Sequence, residues 1–211
     1  MDKYTDRCQA GRLLATYLEK YKNSDGIVLG LPRGGVPVAC EVAKKFHLPL
    51  DVVIVRKLGL PGYKELAMGA IASGGTVFFN EELIKTHNVS AQAIEAVIKA
   101  ETRELLRREA VYRGKRPYPV LTGKKVILID DGIATGATLK AAVEAIKKQN
   151  PSSITIAVPV ADPMVCKELE RLVDEVVCPL LPPDIQAVGL WYDDFRQTSD
   201  QEVLSFLKPI F

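Results

Sequence analysis

The chain has 211 residues, of which 47% are hydrophobic and 26% charged, and a formal net charge of +2. That length suits one domain, or one domain with a small appendage, and is ample for a buried core. The composition is that of a soluble globular protein, and the nearly balanced charge excludes a global pull toward nucleic acid or membrane. The start, MDKYTDRCQAGR, lacks the apolar centre of a signal peptide, and no apolar run is long enough to span a bilayer, so the expected compartment is the cytoplasm. Cys8, Cys40, Cys166 and Cys178 form no C-x-x-C pair, which agrees with a reducing compartment. With only His47 and His87 besides, no zinc site is expected, and both histidines are predicted at helix ends or on surfaces.

Residues 4–21 read as a helix, with Leu13, Leu14, Tyr17 and Leu18 on one face. Residues 27–31 read as a strand, followed by Pro32-Arg33-Gly34-Gly35 and a helix carrying Val36, Val38, Ala39, Val42, Ala43 and Phe46. The two glycines permit unusual backbone angles, and the turn exposes N–H groups beside one cation, Arg33. It suits an anion nest, and equally a plain strand-to-helix turn. The next strand, 51–55, runs straight into Arg56-Lys57, two cations that repel unless an anion or acid sits nearby. Gly59, Pro61 and Gly62 then predict a mobile loop suited to a lid.

Residues 68–72 and 76–79, joined across Ser73-Gly74-Gly75, read as a hairpin. Residues 80–116 form a helical excursion from the sheet, where Ser90 caps a long helix striped with Ile94, Val97, Ile98, Leu105 and Val111. The basic residues of its second half read as a helix laced by i,i+4 pairs such as Glu104 to Arg108. A nucleic-acid face is the competing reading, and no aromatic interleaving supports it. Strands at 154–158 and 175–178 flank a helix with Val165, Leu169 and Leu172, and residues 179–198 break from this alternation as a small subdomain.

The centre of the chain is VILIDDGIATGATL, residues 126–139. Its apolar run is the mark of a strand buried on both faces. It ends in Asp130 and Asp131, and a loop of small and hydroxyl residues leads into a helix with Leu139, Ala142, Val143 and Ile146 on one face. A helix start offers unpaired N–H groups and a positive dipole end, Gly136 lets the backbone approach an anion, and Thr135 and Thr138 add hydroxyl donors. Bare carboxylates would repel a phosphate held there. As acceptors they suit the two hydroxyls of a ribose diol, and a negative pair favours positive charge developing on a sugar ring. Strands ending in two aspartates also occur in phosphorylated receiver domains and Walker-type ATPases. The chain has no G-x-x-x-x-G-K-[ST], and a receiver leaves the Thr-Gly-x-Thr unexplained.

Phosphate loop and diol clamp together resemble the signature of the type I phosphoribosyltransferases, which bind phosphoribosyl pyrophosphate (PRPP). Residues 134–138, ATGAT, are similar to the adenine-type form of that loop, and Arg56-Lys57 with Leu-Pro-Gly at 60–62 resembles the head of that family's flexible catalytic loop. The family's lysine in that loop is missing, with no cation until Lys64. Pro183-Asp184, Val188-Gly189 and Asp193 resemble the hood of hypoxanthine-guanine phosphoribosyltransferases.

The resemblance implies an α/β fold of about five parallel strands with a helical insertion at 80–116 and a C-terminal hood at 179–198. Asp130 and Asp131 would be catalytic, and Ala134, Thr135, Gly136, Ala137 and Thr138 would hold the 5-phosphate. Arg33, Gly34, Gly35, Arg56 and Lys57 would hold the pyrophosphate. Val188 would border the nucleobase, Trp191 would stack on it or fill the hood core, and Asp193 would reach Mg2+ through water. The implied reaction transfers ribose 5-phosphate from PRPP to a nitrogenous acceptor in a homodimer. Ala134 stands where hypoxanthine-type enzymes carry an acid, and Pro159-Val160-Ala161 lacks their base-reading lysine, so a 6-oxopurine acceptor is not implied. The alternative is a PRPP-sensing regulator of the same fold that binds nucleic acid through the basic stretch 99–116.

Overall fold

A computed structural model describes residues 3–208, with Lys64 and Glu65 described by their backbone alone. In chain order the elements are α1 (Arg7–Ala15), β1 (Ile27–Gly30), α2 (Gly35–Phe46), β2 (Leu50–Val52), β3 (Val55–Leu60), β4 (Tyr63–Ala72), β5 (Thr76–Phe79) and α3 (Glu81–Thr86). There follow α4 (Ala91–Arg113), β6 (Lys125–Ile129), α5 (Ala137–Lys147), β7 (Ser153–Ala157), α6 (Pro163–Leu169), β8 (Glu175–Val177) and α7 (Asp200–Phe206). Strands β2-β1-β6-β7-β8, in that order, form a parallel five-stranded sheet. The expected α/β class with a five-stranded parallel core is the observed one.

The central strands are apolar without interruption because both faces are covered. Ile27, Leu29, Val126 and Leu128 enter one core with Leu139, Val143 and Ile146 of α5. Val28, Ile127 and Ile129 enter another with Leu14 of α1 and Val38 and Val42 of α2. Successive side chains of one strand therefore serve opposite layers. Register sets the site: Gly30 lies opposite Ile129, and the Leu31 N–H donates to the Ile129 carbonyl at 2.9 Å. The chain thus leaves β1 and β6 side by side at the carboxyl edge, where open parallel sheets bind ligands.

Three expectations are corrected. Helix α1 spans only Arg7–Ala15, capped by Asp6, whose carboxylate accepts from the Gln9 N–H at 2.7 Å; residues 19–21 form a separate 3-10 turn. Tyr4 instead bridges Tyr192 in parallel, so the residues before α1 run along the hood. The predicted strand 51–55 is broken after Val52, and Val55 opens a second, antiparallel sheet, β3-β4-β5. The predicted mobile loop after Lys57 is the β3–β4 hairpin turning at Pro61-Gly62. Its strands are held because Leu58, Leu60, Met68 and Ile71 are buried against Leu105 and Tyr112 of α4 and Val203 of α7.

The hairpin of residues 68–79 and the long helix of the excursion are as expected, with Ser90 Oγ accepting from the Ala93 N–H at 3.2 Å and Arg108 bonding Glu104 at 2.9 Å. His47 and His87 stand at the C-caps of α2 and α3. The end of α4 is tied to the parallel sheet by Arg113. Its guanidinium, 3% exposed, bonds Asp51 and Glu109 at 2.9 Å each and donates to the Val52 carbonyl.

Candidate active site

Gly34 and Gly35 press against the acidic tip of β6. A Cβ on Gly34 would lie 2.0 Å from Asp131 Oδ2, and one on Gly35 would lie 2.7 Å from the Ile129 carbonyl oxygen and 2.8 Å from Asp130 Cα. No side chain fits at either position, so the turn 32–35 and the acid pair are one assembly. The Pro32–Arg33 peptide is cis. The Arg33 side chain lines a concavity of about 150 Å3 with Arg107, Arg108, Val111, Tyr112 and Asp200, and lies 3.9 Å from the Asp200 carboxylate. The expected pyrophosphate cation is thus held toward α4 and α7.

On the other side of the tip, residues 132–139 line a cavity of about 200 Å3 together with Asp130 and Val188. Gly136 has φ of 69°, and a Cβ there would lie 2.7 Å from Val165 Cγ1. Glycine is needed for the backbone angle and again for the approach of α6. Gly136 is also the N-cap of α5 and supplies no side-chain cap, so the first N–H groups of that helix open into the cavity. Ala134, Thr135, Ala137 and Thr138 are exposed at its mouth. The five residues expected to hold a phosphate are contiguous in one cradle.

The two carboxylates have unlike surroundings. Asp130 Oδ1 accepts from the Asp131 N–H at 2.9 Å. Burial, and then the neighbouring charge of Asp131, push the Asp130 carboxyl well above the usual carboxylate range. Burial also raises Asp131, but the Arg7 guanidinium opposes it, with Nε 2.8 Å from Asp131 Oδ2. Arg7 in turn donates to the Arg196 carbonyl at 2.8 Å and lies 3.9 Å from the centroid of the Phe195 ring. The Tyr192 hydroxyl donates to the Asp131 carbonyl at 2.6 Å. Sequence reasoning missed Arg7 and Tyr192. Their contacts with Asp131 span 124 and 61 residues, and neither stands in a local pattern that signals it.

Within the hood, Val188 reaches the site: a Cβ on Gly132 would lie 2.5 Å from Val188 Cγ1 and 3.1 Å from Val160 Cγ1. Trp191 donates its indole N–H to the Ile185 carbonyl at 3.2 Å and packs with Tyr4, Val160, Ile185 and Tyr192, so it belongs to the hood core. Asp193 is exposed, and its N–H donates to the Tyr4 carbonyl at 2.8 Å. Among the described residues no three His, Cys, Asp or Glu side chains gather into a metal cage. Arg56 and Lys57 do not stand at the end of a core strand, as expected, but within β3 opposite Ile71 and Ala70. The partner of Arg56 is Glu101 of α4, at 2.7 Å.

A family model for a phosphoribosyl transferase domain matches residues 6–193. A provisionally named phosphoribosyl transferase of Mycobacterium tuberculosis is 44% identical over 207 residues, which are 98% of this chain and 47% of that protein. The chain therefore spans about half the length of this relative. The bifunctional protein PyrR of a Geobacter species is 31% identical over 149 residues, covering 70% of this chain and 64% of that one. Among solved structures, the crystal structure of TT1426 from Thermus thermophilus is 39% identical, with a TM-score of 0.85 over 97% of each chain. The matched segment contains both loops and both aspartates, and this chain belongs to the phosphoribosyl transferase domain family.

Proposed function

We propose that the protein transfers ribose 5-phosphate from PRPP to a nitrogen nucleophile, most simply a nucleobase, and releases pyrophosphate. The observation that carries this reading is the contact between the Gly34-Gly35 turn and the Asp130-Asp131 tip, with the phosphate cradle of residues 134–138 on the other flank. The cradle receives the 5-phosphate through the N–H groups at the start of α5 and the hydroxyls of Thr135 and Thr138. The acidic tip faces the ribose diol, and the pyrophosphate lies along the backbone of residues 33–35. Transfer breaks the C1–O bond with its electron pair leaving on pyrophosphate, and the acceptor nitrogen forms the new bond and gives up a proton. The carboxylates stabilise the positive charge that grows on the ring in between. Val188 borders the acceptor side.

The family resemblance implies Mg2+, which would neutralise the leaving pyrophosphate when bound. Asp193, exposed in the hood, is the carboxylate that would assist the ion through water. A homodimer in the cytoplasm belongs to the same proposal, and sedimentation tests the dimer.

The experiment is an acceptor screen with PRPP and magnesium across bases, amines and ammonia, scoring pyrophosphate release. Release with at least one acceptor is expected; neither release nor PRPP binding by the wild-type chain would overturn the reading. The likeness to the bifunctional PyrR lends support to the second reading, a PRPP-sensing regulator that binds nucleic acid. Against it, Arg107 and Arg108 are bonded to Glu104, and Arg113 to Asp51 and Glu109, so these cations of the basic stretch already have internal partners. Nucleic-acid binding without turnover in the same screen would favour the regulator.

A further inference from the structure

The side chain of Arg33 lies in the concavity between α4 and α7, which shares no lining residue with the cavity of the phosphate cradle. Its guanidinium is 35% exposed and stands 3.9 Å from the Asp200 carboxylate, too far for a hydrogen bond. No hydrogen-bond partner for it occurs among the described residues. A half-buried guanidinium left in that state is an exception in a folded chain.

Two more cations line the same space. Arg107 and Arg108 share one carboxylate, Glu104, Arg107 through Nε and Nη2 and Arg108 through Nε, at 2.8–2.9 Å. Arg107 Nη1 and both terminal nitrogens of Arg108 keep unspent donors among the described residues. The buried Tyr112 fixes the remaining wall by donating its hydroxyl to Asp200 Oδ1 at 2.6 Å. Burial and that bond push the phenol up to about 12, so it stays a donor. Asp200 is the single acid that lines the concavity, and with Glu104 it offsets two of the three cations. A solvated helix face would explain Arg107 and Arg108, but not Arg33, which reaches the same space from the glycine turn. Planar forks converging from two segments suit the oxygens of a phosphate group.

We propose that this concavity is a second anion site, separate from the cradle, which takes the phosphate group of a small ligand between Arg33, Arg107 and Arg108. That phosphate replaces Asp200 as the partner of Arg33. The ligand is inorganic phosphate or a nucleotide, which offer the same group. Arg33 is joined to Gly34, so an occupied site sets a further negative charge beside the turn assigned to pyrophosphate and weakens PRPP binding. This coupling rests on the transferase reading above; the site itself does not.

The test is a phosphorus NMR titration of the full chain with inorganic phosphate, at constant ionic strength, with saturating ribose 5-phosphate to fill the cradle. The wild-type chain should bind phosphate, and Arg107→Gln combined with Arg108→Gln should weaken this on the order of tenfold or more, the worth of the lost charge-assisted bonds. Both positions are well exposed, at 64% and 43%, so the double variant should keep its fold. Asp200→Asn keeps an acceptor for Tyr112 and removes a like charge, and should tighten phosphate binding severalfold. A titration with adenosine monophosphate identifies the source: tighter binding than phosphate assigns the site to a nucleotide, equal or weaker binding to the free anion, and either supports the site. Calorimetry of PRPP with magnesium reads the coupling, phosphate weakening PRPP binding more in the wild type than in the double variant. No phosphate binding by the wild type with the cradle filled, or equal binding by wild type and double variant, would overturn the site. Binding of an oligonucleotide but of neither small phosphate would replace it with a nucleic-acid face. Equal effects of phosphate on PRPP in both proteins would overturn the coupling alone. If the wild-type chain binds neither ribose 5-phosphate nor PRPP, the transferase reading falls, while phosphate binding that depends on Arg107 and Arg108 would keep the site.

Discussion

The two sheets solve the problem of holding polar groups in opposite ways. In the parallel sheet, β1 and the four residues of β6 after Lys125 are wholly buried, and polar chemistry is confined to the loops at the carboxyl edge. There it is fixed by steric contact: a Cβ added to Gly34, Gly35 or Gly136 would lie 2.7 Å or less from a neighbouring atom. In the antiparallel sheet and α4, one face is apolar and the other is stitched by ion pairs, Arg56 to Glu101 and Glu104 to Arg107 and Arg108. Steric contact gives a site its precision, because packed glycines leave no second arrangement. Exposed ion pairs tie a covering layer loosely, since each contributes little in water.

The largest expected effect breaks the first region without unfolding it. Asp130→Asn together with Asp131→Asn removes both charges that the proposed function assigns to the ribose diol. At about 1.5–3 kcal/mol for each charge-assisted bond, the loss is roughly a hundredfold to ten-thousandfold in transfer rate. Pyrophosphate release measures it, alongside circular dichroism to check the fold. Wild-type turnover by the double variant would remove the acids from the site.

Next comes the buried ion network at the end of α4. Arg113 is buried with Asp51 and Glu109 where α4 meets the edge strand β2. Removing one member of a buried pair strands the others, so Arg113→Ala should destabilise by about 3–5 kcal/mol. By contrast, Arg107→Ala, on the exposed face, should cost under about 1 kcal/mol. Urea unfolding of both variants sharpens the contrast, and equal losses would mean that the two networks do not differ in kind.

A smaller effect is expected at Gly136. Its φ of 69° and the nearness of Val165 give Gly136→Ala a strain of about 1–3 kcal/mol. Part of this should appear as weaker protection by ribose 5-phosphate in thermal melts. Unchanged protection would separate the cradle from the phosphate.

The same contrast explains what the sequence made legible. Two-sided burial writes itself as unbroken apolar runs, so residues 27–31 and 126–129 were readable as core strands, and the glycine-hydroxyl loop after them as a cradle. The β3–β4 hairpin was not. Its buried Leu58 and Leu60 alternate with Lys57 and Gly59, and Pro61-Gly62, which in the structure is only the turn, reads as the mark of a long loop. Arg56 carried a charge that sequence could not assign, and its partner Glu101 lies 45 residues away. Arg7 was hidden for the same reason. Steric and electrostatic contacts between distant segments leave no local period, and that is where the site's fine structure lies.

The smallest expected effect concerns stability, and its sign follows from the buried tip. Burial and the charge of Asp131 raise the Asp130 carboxyl well above the usual carboxylate range. In the window between the ordinary carboxylate value and that raised value, the folded state binds a proton that the unfolded state has released. Stability of the ligand-free protein therefore falls as pH rises through that window, the reverse of the usual salt-bridged aspartate. Asp130→Asn removes the charge that folding must bury, so at neutral pH it should raise the melting temperature while activity is lost. A chain of this size shifts by about 2–4 °C per kcal/mol, so a rise of a few degrees is expected, with a flatter dependence on pH. A melting temperature lowered by Asp130→Asn, or a wild-type protein that grows more stable through the same window, would mean that Asp130 is already stabilised as an anion before any ligand arrives. A gain in stability at the expense of transfer would identify the tip as a place where the fold tolerates strain for the sake of its substrate.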